Sequence, residues 1–133
     1  MSIEETVFLD SIPVFIVTTG TFDMELKIYI ACRNGYVYLF KNGKISSSFN
    51  VRIESKPLGL VKLDKTIILA GMNKNLYSFY NKGRLNFIKT LPAEITDIQK
   101  MEIKQSKNIQ CVLVALKTGD IMMFNDKHHI DTI

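Results

Sequence analysis

The sequence predicts an all-β chain, a partial WD40-like β-propeller with about three four-stranded antiparallel blades. Three observations predict it. One segment recurs three times, β-rich runs flank every copy, and the central strand of the first copy is apolar on both faces.

The recurring segment reads ACRNGYVYLFKNGK from Ala31, AGMNKNLYSFYNKGR from Ala70 and ALKTGDIMMFNDKH from Ala115. Phe40, Phe79 and Phe124 fall at one offset, and Val37, Leu76 and Ile121 at another. The three alanines stand 39 and 45 residues apart, within the period of propeller repeats.

Each copy follows a run rich in Ile, Val and Leu without polar alternation: LKIYIACRN, TIILAGMN and IQCVLVALKTG. Such runs suit strands covered on both faces. Upstream of each lies another candidate strand, in PVFIVTTGTF, PLGLVKLD and EITDIQKMEI, and a more polar one follows in KISSSFNV, RLNFIKTL and HHIDTI. The pairs Asn34-Gly35, Asn42-Gly43, Lys82-Gly83 and Thr118-Gly119 are turn signals that supply positive φ.

In AEITDIQKMEIKQ, the three-residue spacing of Ile95, Ile98 and Met101 also fits an amphipathic helix. The sister copies place a strand there, so a strand is expected, and an extended IKQSKN loop accounts for the longer third repeat. Tyr36, Tyr38 and Phe40 point one way and Val37 and Leu39 the other, which suits sheets packed between two neighbours around an axis. The expected blades are approximately 13–51, 57–91 and 95–133, with 1–12 as the outer strand of a preceding blade. Closed propellers have four to eight blades. The chain therefore reads as part of a larger ring or as a unit that associates with other copies.

At 133 residues, the length suits one domain. The net charge of +4 comes from lysines scattered over turns (Lys41, Lys44, Lys62, Lys65, Lys74, Lys82) rather than clustered on one face, which argues against nucleic acid as a partner. Cys32 and Cys111 each sit in an apolar run and read as buried free thiols; no zinc spacing exists. No apolar stretch reaches the roughly 20 residues that span a bilayer, and MSIEETVFLD is no secretory signal.

Catalytic, cofactor-binding and metal-binding residues are all expected to be absent. His128 and His129 are adjacent, so on a strand they point to opposite faces and make a poor ligand pair. Glu4 and Glu5 occupy the terminus, Asp10-Ser11 starts a turn, and no Ser/His/Asp set is evident. The KNGK turn precedes a strand rather than a helix, so it is a hairpin and not a phosphate loop. The Tyr and Phe positions, and Met72, Met101, Met122 and Met123, read as core filling. A quinoprotein-like or hydrolytic propeller would repeat polar or metal-binding residues at inner strand ends, and these copies do not.

The elements Pro13-Val14-Phe15, Gly20, Phe22-Asp23, Glu25 and Ala31-Cys32-Arg33-Asn34-Gly35 together resemble the propeller of the Bardet–Biedl syndrome 1 family. In the same order follow Pro57-Leu58-Gly59-Leu60, the Lys82-Gly83 turn, Leu91-Pro92-Ala93 and Leu116-Lys117-Thr118-Gly119-Asp120. The resemblance implies a central piece of an N-terminal propeller in a non-catalytic scaffold subunit of the BBSome, the coat-like complex that moves membrane proteins to and from cilia. It implies recruitment to membranes by a GTP-bound Arf-like small GTPase docked on the full propeller. Other BBSome subunits and ciliary membrane-protein cargo are the further implied partners. The implied locations are the cilium, the basal body or centrosome, and the cytoplasm, with peripheral membrane association only through the complex. The resemblance carries over no contact residues, and the family's helical insertion and C-terminal adaptin-ear-like parts are not in this sequence. The alternative is a propeller interaction module of another vesicle-coat or adaptor complex.

Overall fold

In the computed structural model, the described residues are 9, 11–20, 26–104, 108–125 and 129–133. The expected strand in 1–12 therefore lies almost wholly outside them, as do Phe22, Asp23 and Glu25. The described residues form three antiparallel sheets. The first orders β1 (Pro13–Thr19), β2 (Lys27–Cys32), β3 (Tyr36–Lys41) and β4 (Lys44–Ile45), with β5 (Val51–Arg52) also on β3. The second orders β6 (Pro57–Lys62), β7 (Thr66–Gly71), β8 (Asn75–Tyr80) and β9 (Leu85–Thr90). The third orders β10 (Ile95–Lys104), β11 (Asn108–Leu116), β12 (Ile121–Phe124) and β13 (His129–Thr132). These are the blades of a partial propeller.

Two cores lie between the sheets. Tyr29, Ala31, Val37 and Leu39 of the first sheet meet Leu60, Ile67, Leu69, Tyr77 and Phe79 of the second. On the other face of the second sheet, Val61, Ile68, Ala70 and Leu76 meet Ile95, Ile98, Val112, Val114 and Phe124 of the third. Alternation along β7 sends Ile67 and Leu69 one way and Ile68 and Ala70 the other, so the whole strand is buried. Burying each such side chain contributes about 1.5–3 kcal/mol, which is why this run carries no polar alternation.

The repeat sets a direction of stacking. Phe79 and Phe124 each point back onto the preceding blade, whereas Leu76 and Val37 point forward onto the next. Phe40, at the same register of the first sheet, points back to no preceding sheet and is only half-buried. Ile121 points forward from the last sheet and is 37% exposed. Tyr36 is exposed and Tyr38 half-buried for the same reason as Phe40. The expectation that all these aromatics are core thus fails on the first sheet. Met72 is exposed on its turn, and Met101, Met122 and Met123 are partly buried, so the methionines are not simply core filling.

Every blade begins its first strand with a β-bulge, between Pro13 and Phe15, Pro57 and Gly59, and Ile95 and Asp97. The bulge explains the helix-like spacing in the third repeat. Ile95 pairs with Leu116 and Ile98 with Val114, so the extra residue turns both isoleucines to one face. Directly opposite Ile98, Gly59 has no side chain; a Cβ there would stand 2.6 Å from Ile98 Cγ1. The missing atom lets the second and third sheets approach closely.

Two elements depart from expectation. KISSSFNV is not one strand, because pairing stops at Ile45 and resumes at Val51. Phe49 in the break turns inward, its ring 5.7 Å from that of Tyr29, and joins the first core. The extra length of the third repeat lies in β10 and β11, paired out to Lys104 and Asn108, rather than in a long loop.

The turns use positive φ more sparingly than the sequence suggests. Among the described residues, only Asn42-Gly43 takes it at both residues, as a two-residue I′ turn does. At the β2–β3 and β11–β12 turns only Gly35 and Gly119 take it, and the β7–β8 turn has Lys74 at that register with φ 70°. A non-glycine residue is disfavoured there because its Cβ crowds the backbone. Lys74→Gly is expected to raise stability by about 1 kcal/mol, measured as a higher urea midpoint at unchanged slope. The exposed pair of Lys74 with Glu94, 3.7 Å apart, is too solvated to offset this.

Candidate functional site

Most of the residues weighed from the sequence as reactive groups fall outside the described part of the chain. Glu4, Glu5, Asp10 and His128 lie outside the described residues, and His129 pairs with Phe124 at the bulged start of β13. Among the described residues, no group of three His, Cys, Asp or Glu could hold a metal ion. Nor is any helix there long and apolar enough to cross a membrane. Cys32 and Cys111 are both buried and free. Burial pushes both thiols up, opposed at Cys32 by a hydrogen bond with Ser11. The Cys111 Sγ donates to the Met101 carbonyl at 3.7 Å. Raised, enclosed thiols are poor nucleophiles.

What the fold does offer is surface. The first strands of the blades line a groove of about 460 Å³, where Phe15 and Val17 face Leu60 and Lys62, and Val61 lies beside Ile98 and Lys100. On the outer rim, a second groove of about 380 Å³ runs past Arg52, Glu54, Tyr77, Phe79, Leu85 and Ile88. The break in the first outer strand leaves Leu85 and Ile88 roughly half exposed there. The back of the first sheet carries Tyr36 stacked on Tyr38 at 6.3 Å, with the Arg52 guanidinium 5.3 Å above the Tyr36 ring.

Residues 1–41 match the family described as Ciliary BBSome complex subunit 1. The BBSome complex member BBS1 of Mus musculus is 30% identical over 125 residues, covering 94% of this chain. That of Homo sapiens is 28% identical over the same share. A crystal structure of BBS1N in complex with ARL6DN, soaked with lead, superposes with a TM-score of 0.92 at 27% identity, covering 99% of this chain and 43% of that one. This chain is similar to BBSome subunit 1. It spans about a fifth of the length of the curated relatives, 21%. A mercury-soaked crystal of the same complex matches equally well.

The ACRNG run has a structural role. Ala31 and Cys32 are fully buried at the end of β2, Arg33 and Asn34 are exposed in the turn, and Gly35 closes it with φ 93°. The run shapes a blade corner. Sequence reasoning left the binding residues unassigned, and it passed over Lys27 and Asn81, which converge between the first two blades. The available signal was the break in the repeat at Lys27, whose counterparts four residues before the other alanines are Thr66 and Cys111.

Proposed function

We propose that this chain is a non-catalytic scaffold piece of a BBSome subunit, contributing blades to a propeller that receives a GTP-bound Arf-like small GTPase. The observation that carries this reading is the 0.92 superposition on BBS1N, a protein crystallised in complex with ARL6DN. Recruitment by the GTPase would bring the complex to membranes as a peripheral coat, where it would sort membrane proteins to and from the cilium together with the other BBSome subunits. The GTPase need not touch these three blades.

The test uses the full-length protein that contains this chain, purified from cells under mild conditions and titrated with an Arf-like GTPase. Binding to the GTP-locked form, at least tenfold tighter than to the GDP form, and co-purification of BBSome subunits are expected. Co-purification instead with subunits of another coat, with no nucleotide-dependent binding, would overturn the reading.

A further inference from the structure

We propose that the cleft between the first two blades, at the end where β1 and β6 finish, binds an acidic segment of a partner protein. In this cleft Lys27 anchors a carboxylate and Asn81 accepts a backbone N–H. The cleft has a volume of about 300 Å³ and brings Lys27, Lys62, Asp64, Asn81, Lys100 and Gln110 together. The proposal does not depend on the GTPase reading.

Lys27 is the residue that the repeat does not explain. It pairs with Lys41 across the strand, at the register where Thr66 pairs with Tyr80. Thr66 and Cys111, its counterparts in the next blades, are fully buried small groups. A half-buried ammonium at this position keeps the cleft open and charged. Lys27 forms no ion pair among the described residues.

The surroundings are built and polar. Lys62 donates from its Nζ to the carbonyls of Leu63 and Asp64, which pins its charge at the mouth. Gln110 of the third blade accepts from the Asp64 N–H and donates to Glu102 at 2.8 Å. Lys100 lies 3.2 Å from Glu102. The lining thus carries three lysines and one carboxylate residue, Asp64, and of the lysines Lys100 is paired with Glu102.

Asn81 makes the second, independent observation. Its Nδ2 donates to the Asp64 carbonyl at 3.1 Å, but its Oδ1 is buried with no hydrogen-bond partner. A buried acceptor left unpaired costs about 1–3 kcal/mol, so the site favours a ligand that brings a donor. A simple carboxylate or sulfate ion brings none. An acidic peptide offers a carboxylate for the lysine and a backbone N–H for the amide oxygen within one or two residues.

The experiment is fluorescence anisotropy of a labelled oligoglutamate peptide with the full chain at low salt. Lys27→Thr installs the residue that the second blade uses at this register, and should bind about tenfold more weakly, as expected for one lost charge-assisted contact. Lys27→Gln, closer in length, gives the same loss if the smaller side chain disturbs folding, which circular dichroism reports. Lys89→Thr, on exposed β9 away from the cleft, leaves the affinity unchanged. The proposal is overturned if both Lys27 variants bind the peptide as the parent does. It is overturned equally if inorganic phosphate or phosphatidylserine vesicles, rather than the peptide, show the Lys27-dependent binding.

Discussion

Gly35→Ala should lower the unfolding free energy by about 3–4 kcal/mol, enough to move the urea midpoint of so small a chain far to the left. Two effects add. At φ 93° an alanine carries the left-handed strain of about 1–2 kcal/mol. Its Cβ would also stand 2.1 Å from the Ile53 carbonyl oxygen, and this neighbour is backbone that cannot swing away. Moving it strains the bond in which the Ile53 N–H donates to the Gly35 carbonyl at 2.9 Å, the link that carries the chain out of the first blade. Gly119→Ala is the internal control. It has the same turn register and φ 96°, but nothing lies within 4 Å of the added Cβ. Strain alone then costs about 1–2 kcal/mol. Equal losses at the two sites, measured by urea denaturation, would show that the contact with Ile53 is not what fixes Gly35.

The contrast between these glycines shows which part of the fold is legible in sequence. Two of the three corners announce themselves through Asn34-Gly35 and Thr118-Gly119, because backbone conformation is dictated by the residue that must adopt it, whereas Lys74 at the third carries no such mark. The blades are legible for a similar reason. Phe40, Phe79 and Phe124 recur because each blade must plug its predecessor, and Ala31, Ala70 and Ala115 because the strands behind them pack tightly. What is not legible depends on the neighbour rather than on the residue. KISSSFNV has strand composition, yet Phe49 finds a better place against Tyr29, and that gain breaks the strand. The bulge at Thr96 hides as a helical spacing because an inserted residue and a helical turn both bring Ile95 and Ile98 to one side. The lysine cleft is hardest to read. Lys27, Lys62 and Lys100 are far apart in sequence, and Asn81 is conspicuous only once its oxygen is seen without a donor.

Phe124→Ala, the second large effect, should cost about 3–5 kcal/mol. The ring is 1% exposed and fills the core between the second and third sheets with Ile68, Ala70 and Leu76. The surrounding side chains come from paired strands of two sheets, so a cavity rather than a collapse is expected. Phe79→Ala should cost nearly as much, since Phe79 plugs the other core at 7% exposure. Phe40→Ala, the same substitution at the same register, should cost about 1 kcal/mol, because its ring is only half-buried and a truncated side chain there opens onto solvent. The three variants, compared by chemical denaturation of the same chain, test the direction of stacking directly. In a back-to-front stack, the loss depends on whether a preceding sheet exists. A Phe40→Ala loss as large as that of Phe124→Ala would mean that another surface covers the back of the first sheet in solution. If that loss then shrinks on dilution, the covering surface belongs to a second molecule; if it does not, it belongs to the chain itself.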